Sequence, residues 1–354
     1  MNFREKFQYY LFLGQALVKH RFHNAGEQGN AFFRVLNGSP AVLLLVLHDR
    51  DLTPLHEAIG DESGYFLFNL WGSRETSKAI KAVLKFEQRK NRNFPHHTYI
   101  YLCNSVKELE LFKIAGLEAV LCNHNCWVDE KMFQPDSSID KLYDAVYDAN
   151  VAPYKRHELA VDIESLALIS FRHPVLFNEG YAKRVRKALA HASWLNDPLS
   201  DDFIFLSNDE VVKILNQSRL GLCLSASEGA MYASIQYLLC GLPVVSTSSK
   251  GGRDVFFEDD YALIVEDIPE AVSSGVAEML SRDIPPEVIR QRVIEKMNQH
   301  RQTFIDLLQE LFDRHDSNQQ AAEVWPQIFK HKMGLEYLPL DVGVKQIKEL
   351  REQY

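Results

Sequence analysis

Cysteine is scarce in this chain of 354 residues: Cys103, Cys122, Cys126, Cys223 and Cys240 are too few and too scattered to read as a disulfide framework. No disulfide-linked partner is expected, and a reducing cytoplasm is the simplest home. Cys122-Asn123-His124-Asn125-Cys126 packs two thiols and an imidazole together, but it lacks the separated second pair of ligands of a structural zinc site, so no metal is expected there. Basic residues are outnumbered, 39 Lys and Arg against 48 Asp and Glu, and the net charge of −9 argues against a general nucleic-acid partner. Long apolar runs are missing too. The opening MNFREKFQYYLFLGQALVKH is broken by Arg4, Lys6, Gln8 and Gln15, so it reads as neither signal peptide nor spanning helix. It reads instead as an amphipathic helix on its own domain, with peripheral membrane contact at the inner face as the alternative. No internal repeat or low-complexity tract interrupts the chain. What remains, at 46% hydrophobic and 25% charged residues, is ordinary globular composition long enough for two domains.

Strands and helices alternate in two runs. Pro40 to Leu47 is a continuous apolar strand ending in His48-Asp49, and Tyr65 to Leu70, Thr98 to Leu102 and Leu117 to Leu121 follow, giving about four strands before residue 125. Between them, a helix from Ser73 to about Lys90 carries a basic stripe of Lys78, Lys81, Lys85, Arg89 and Arg92, which reads either as a solvated face or as a surface for an anionic acceptor or acidic lipid. A second run has strands at Tyr143 to Ala149, Leu166 to Phe171, Phe203 to Leu206, Leu220 to Leu224, Val244 to Thr247 and Tyr261 to Val265, with a capping-box helix starting at Ser207. From Pro269 onward the pattern is helical. Such alternation is the signature of parallel sheets covered by helices.

The chain is organised around residues 225–257, SASEGAMYASIQYLLCGLPVVSTSSKGGRDVFF. A strand ends at Leu224, Glu228-Gly229 makes a turn, a helix runs to Leu239, Cys240-Gly241-Leu242-Pro243 closes it, and a buried strand follows. Free amides and the helix dipole at such a turn favour an anion, and Gly229 permits close backbone approach. Asp49-Arg50-Asp51 is the one Asp-x-Asp pair, which could hold a divalent cation, but it lies far in sequence from this stretch.

The ordered set Glu228-Gly229, Cys240-Gly241-Leu242-Pro243-Val244-Val245, together with Val128-Asp129, Phe133 and Pro135 in a linker, resembles the retaining glycosyltransferases of group 1, also called family four. The sequence departs from that family at Gln236, where a second Glu is usual, at Met231, where a glycine is usual, and at Asn150, where an arginine is usual. Cys126-Trp127 stands where Asn-Gly is usual in the linker. The resemblance implies an α/β protein of the GT-B fold: two Rossmann-like domains with parallel sheets facing a cleft, the N-terminal one short. Residues 1–137 would form the acceptor domain, 138–335 the nucleotide-sugar domain, and 336–354 a C-terminal helix crossing back to the first domain.

The implied reaction moves a hexosyl or related group from a nucleotide-diphosphate donor, UDP-linked, to a hydroxyl of a polysaccharide or glycolipid acceptor, with retention of configuration. No cofactor and no metal are implied. Glu228 would orient the donor sugar and Lys155 would hold the pyrophosphate, with Asn150, Gly229, Ala230, Met231 and Arg253 around it. Gln236 would meet the ribose, Phe205 and Ser207 the base, and His48 the acceptor hydroxyl. The departures keep two other readings open: a non-catalytic partner protein of GT-B fold, and a sugar-nucleotide isomerase or phosphorylase on the same scaffold.

Overall fold

A computed structural model of the chain describes residues 30–46, 51–172, 177–329 and 336–352. The expected amino-terminal helix, His48 and Asp49-Arg50 lie outside the described residues.

Two separate six-stranded sheets form, rather than one continuous sheet. The first contains β1 (Asn30–Gly38), β2 (Ala41–Val46), β3 (Gly64–Asn69), β4 (His97–Cys103) and β5 (Ala119–Leu121), with β12 (Glu336–Pro339) beyond β1. β2 to β5 are parallel, as their apolar runs predict, and β1 adds antiparallel pairings to β2 and β12. Thus, among the described residues, five strands precede residue 125 and a sixth comes from β12, where the sequence reading has four. The helices of this half are α1 (Thr53–Ile59), α2 (Ser77–Asn93) and α3 (Val106–Ile114). Alternation along the strands sorts the core: Leu43, Leu45, Phe66, Phe68, Tyr99 and Tyr101 face one cluster, and Val42, Leu44, Leu67, Ile100 and Leu102 face a second, continuous with the other domain's core.

The second sheet is parallel throughout, in the order β11-β10-β9-β6-β7-β8. Its strands are β6 (Tyr143–Asn150), β7 (Leu166–Phe171), β8 (Ser193–Trp194), β9 (Ser218–Cys223), β10 (Val244–Thr247) and β11 (Ala262–Val265). Interleaved are α4 (Glu179–Ala188), α5 (Asn208–Asn216), α6 (Tyr232–Leu239) and α7 (Pro269–Ser281). The strand expected at Phe203 to Leu206 does not form. That run is a loop with Ile204 62% and Phe205 58% exposed, and Ser193-Trp194 pairs with β7 instead.

Helices α8 (Pro286–Asp313), α9 (Ala321–Ile328) and α10 (Leu340–Arg351) complete the chain. α8 grips the linker between the sheets: Arg290 donates to the carbonyls of Phe133, Leu239 and Glu130, and Arg301 to those of Cys126 and Val128 and to the Glu130 carboxylate. Farther along, the His300 ring lies against the amide of Asn123, and His315 meets the Tyr65 hydroxyl at 2.8 Å. α10 packs on β1 and α1, where Gly343 lies so close to Phe33 and Leu55 that a Cβ would sit 2.7 Å from each.

Three polar rings are sealed inside the first domain. His97 Nε2 lies 3.0 Å from the Gly60 carbonyl, so it carries the proton; His97 Nδ1 then accepts from His56 Nδ1, and His56 Nε2 accepts from the Tyr99 hydroxyl. Burial, and then His97 beside it, push the His56 pKa down to about 3. A histidine depressed in the fold contributes stability above its unfolded pKa that is lost as the pH falls. For His56 the loss should be on the order of 2 kcal/mol between pH 7 and pH 5, and buried His157, also depressed to about 3, acts in the same direction. Urea unfolding at both pH values checks this; a His56→Gln protein should show a smaller loss, and an equal loss would exclude His56 as its source.

Candidate functional site

In the second sheet β6 has β7 on one side and β9 on the other, so chain order reverses between β6 and β9. A crevice opens outside the carboxyl ends of the strands at such a point, and ligands bind there in doubly wound sheets. The loop after β6 carries Lys155 and the loop after β9 carries Glu228. The Lys155 ammonium is in direct contact with Glu228 Oε1, with only 10% and 11% of the two side chains exposed. Residues 73 positions apart in sequence are therefore brought together at the switch point.

The Lys155 loop is held firmly. Tyr147 donates its hydroxyl to the Lys155 carbonyl at 2.5 Å, and the Tyr154 ring lies 5.3 Å from the ammonium. Arg156 adopts φ 52°, a left-handed conformation unusual for a side chain with a Cβ. Its guanidinium compensates by bonding Leu224 O, Thr247 Oγ1 and Asp267 Oδ2 at 2.6, 2.6 and 2.9 Å. Burial works against the charge on Lys155, but the Glu228 carboxylate outweighs it and the pKa is raised. The ammonium is therefore a permanent cation at the switch point.

The other expected site residues fare differently. Asn150 ends β6 and exchanges hydrogen bonds with the Tyr154 hydroxyl at 3.1 and 3.2 Å. Phe205 is exposed and packs on Phe171 at the end of β7, with ring centroids 5.2 Å apart, beside the β6 terminus. The Ser207 hydroxyl is occupied in the capping box of α5, accepting from the Glu210 amide and donating to its carboxylate, so it is not available to a base. Gln236 lies one turn into α6 and is 8% exposed.

Arg253 is corrected from a ligand contact to a framework residue. It is fully buried, and its guanidinium bonds the carbonyls of Cys223, Ser225 and Thr247, the Ser246 hydroxyl and the Asp254 carboxylate. It ties the ends of β9 and β10 together beneath the crevice.

Gly229 lies in close contact with backbone of the other domain. A Cβ on it would lie 2.5 Å from the Trp71 carbonyl oxygen, in the loop after β3 of the other domain. The helix does not begin there, because α6 starts only at Tyr232. Ala230 and Met231 are buried, with their carbonyls 3.3 Å from His124 Nε2 and 3.1 Å from Asn125 Nδ2. Gly252 likewise meets Asn104, and Asn123 Nδ2 bridges Asn104 O at 2.8 Å and Gly252 O at 2.7 Å. Asn104, Asn123 and Asn125 form this seam between the domains, and sequence reasoning assigned them no part in the site. Their signal was a run of three consecutive polar residues, 123–125, directly after a strand, a position where burial demands partners. Cys122 and Cys126 are buried beside it, the first with its thiol 3.6 Å from the His300 carbonyl.

No family model matches the chain, and no curated protein matches it. Among solved structures, a glycosyltransferase from Rickettsia africae ESF-5 superposes with a TM-score of 0.51 at 14% identity, over 88% of this chain and 83% of that one. HepE from Anabaena, crystallised with UDP and glucose, gives 0.47 at 13% identity over 71% and 79% of the two chains. TarM from S. aureus gives 0.45 at 14% over 76% of this chain, which spans about half of TarM's own length, 51%. The Rickettsia likeness and the two sheet topologies define the fold as GT-B. Among the described residues no helix is long and apolar enough to cross a membrane.

Proposed function

We propose that the protein is a glycosyltransferase that moves a sugar from a UDP-linked donor to an acceptor hydroxyl of a polysaccharide or glycolipid, with retention at the anomeric carbon. The observation that supports this most is the convergence of Lys155 and Glu228 at the switch point of a parallel sheet. Negative charge grows on the leaving diphosphate during transfer, and a fixed cation lowers the barrier by stabilising it. Lys155 supplies that cation. Glu228 accepts hydrogen bonds from donor-sugar hydroxyls, and Phe205 offers its face to the base. The donor is a substrate; the reading calls on no metal and no cofactor. Five buried free thiols suit a reducing cytoplasm.

A second reading, a non-catalytic GT-B-fold protein, draws on the charge inventory. Glu228 already answers the Lys155 charge, Arg253 is spent on the framework, and Asn150 carries none. A thermal-shift panel of nucleoside diphosphates and nucleotide sugars, followed by turnover assays, separates the readings. A specific donor should raise the melting temperature by mass action and be consumed when acceptor is present. Donor binding without turnover under any acceptor would favour the second reading. Conversion of the donor alone would favour an isomerase or phosphorylase.

A further inference from the structure

Helix α2 presents Lys78, Lys81, Lys85, Arg89 and Arg92 to solvent at spacings of three and four, so all five share one face. No ion pair engages any of them among the described residues, and the acid within the helix, Glu87, is paired with Lys90 instead. Some exposed cations of other helices have partners one turn away, Glu179 for Lys183, Glu310 for Arg314 and Glu349 for Lys345, whereas Lys113, Lys187, Lys213 and Lys348 have no ion pair among the described residues. On α2 the neighbours one turn away are like charges, which weaken a helix. The first turn holds no acid, and Lys78 and Lys81 sit near the positive end of the helix dipole. In a chain of net charge −9, this is a row of cations that the fold itself disfavours.

The position of the row supplies its direction. α2 follows directly on the loop whose Trp71 carbonyl meets Gly229, and Ser73 in the same loop lies against Gly251. The helix therefore starts at the candidate site and leads away from it. Trp71, 43% exposed, stands at the near end as an aromatic face of the kind that stacks on sugar rings. From Lys78 to Arg92 the cations extend for about 21 Å in steps close to one helical turn.

We propose that this face is the track for an anionic polysaccharide acceptor, a linear chain of acidic sugars whose growing end lies in the crevice. The proposal rests on the glycosyltransferase reading and adds the acceptor class to it. Two features favour a saccharide chain over an acidic lipid surface: the track is one helix wide, and Ile80 and Val83 of α2 are turned into the core, so neither is offered to a bilayer.

The test uses the whole chain and linear oligogalacturonates from disaccharide to octasaccharide, with neutral oligosaccharides of equal length and vesicles one third anionic lipid as comparisons. Affinity should rise with oligogalacturonate length until the anion spans the row, and fall about tenfold or more between roughly 50 and 200 mM salt. Neutral oligosaccharides should bind far more weakly. The double variant Lys81→Glu, Lys85→Glu should lose at least tenfold in oligogalacturonate affinity while its UDP affinity stays unchanged and its melting temperature does not fall. Length-independent binding, equal binding by the double variant, or binding to vesicles without binding to oligogalacturonate would overturn the proposal. Because the readout is binding, the two readings fail separately. Nucleotide-sugar binding without oligogalacturonate binding removes the acceptor class alone, whereas oligogalacturonate binding without nucleotide-sugar binding removes the glycosyltransferase reading and with it the acceptor role, leaving only a polyanion-binding face.

Discussion

Glu228→Gln is expected to slow sugar transfer by about a hundredfold or more, on the order of 3 kcal/mol of transition-state stabilisation, in a protein that unfolds at the same urea concentration as the parent. On the proposed reading the carboxylate acts through the charge with which it receives donor-sugar hydroxyls, and an amide of the same shape lacks that charge. Binding of bare UDP should survive and tighten, because Lys155 is released from the ion pair it now makes with Glu228. Lys155→Ala should act oppositely: UDP binding falls along with transfer, and the Glu228 carboxylate is left half-buried with no cation against it. Steady-state kinetics with calorimetric titration of UDP distinguish these outcomes. A Glu228→Gln protein transferring sugar at near the parent rate would remove Glu228 from the chemistry.

The largest effect on stability should come from Arg253→Met. The side chain is wholly buried, and its loss takes a donor from the carbonyls of Cys223, Ser225 and Thr247 and leaves Asp254 without its ion-pair partner. Removing one partner from a buried charged network costs about 3 to 5 kcal/mol. Urea unfolding should register that loss, with any loss of donor binding following from the loosened ends of β9 and β10. A variant within about 1 kcal/mol of the parent, the scale of an ordinary substitution, that no longer binds UDP would return Arg253 to the ligand site.

The second sheet was legible because parallel strands buried on both faces read as apolar runs; Leu220 to Leu224 and Val244-Val245 need only that rule. The helix stop at Gly241 was legible too, and its φ of 73° confirms the reason. Lys155 and Glu228 could be placed at strand ends by pattern, but their contact belongs to the fold. β1 escaped notice because half of its pairing lies with β12, some 300 residues later, and no local pattern carries that information. Arg253 was misread because a basic residue in a glycine turn looks the same in sequence whether it points out to a phosphate or back toward its own carbonyls. Gly229 was legible as a point of close approach, but that the Trp71 carbonyl meets it there belongs to the fold.

The first sheet is finished by pieces that lie some 300 residues after β1 in the chain. β12 pairs with β1, α10 covers Phe33 and Leu55, and Arg351 donates to the Ala58 and Ile59 carbonyls. During translation, β1 to β5 would leave the ribosome with that edge unpaired and that face bare, while everything needed to close the second sheet emerges before residue 320. The order of assembly thus runs against the order of the chain: the second sheet can set first, and the first becomes native only when β12 and α10 fold back onto it.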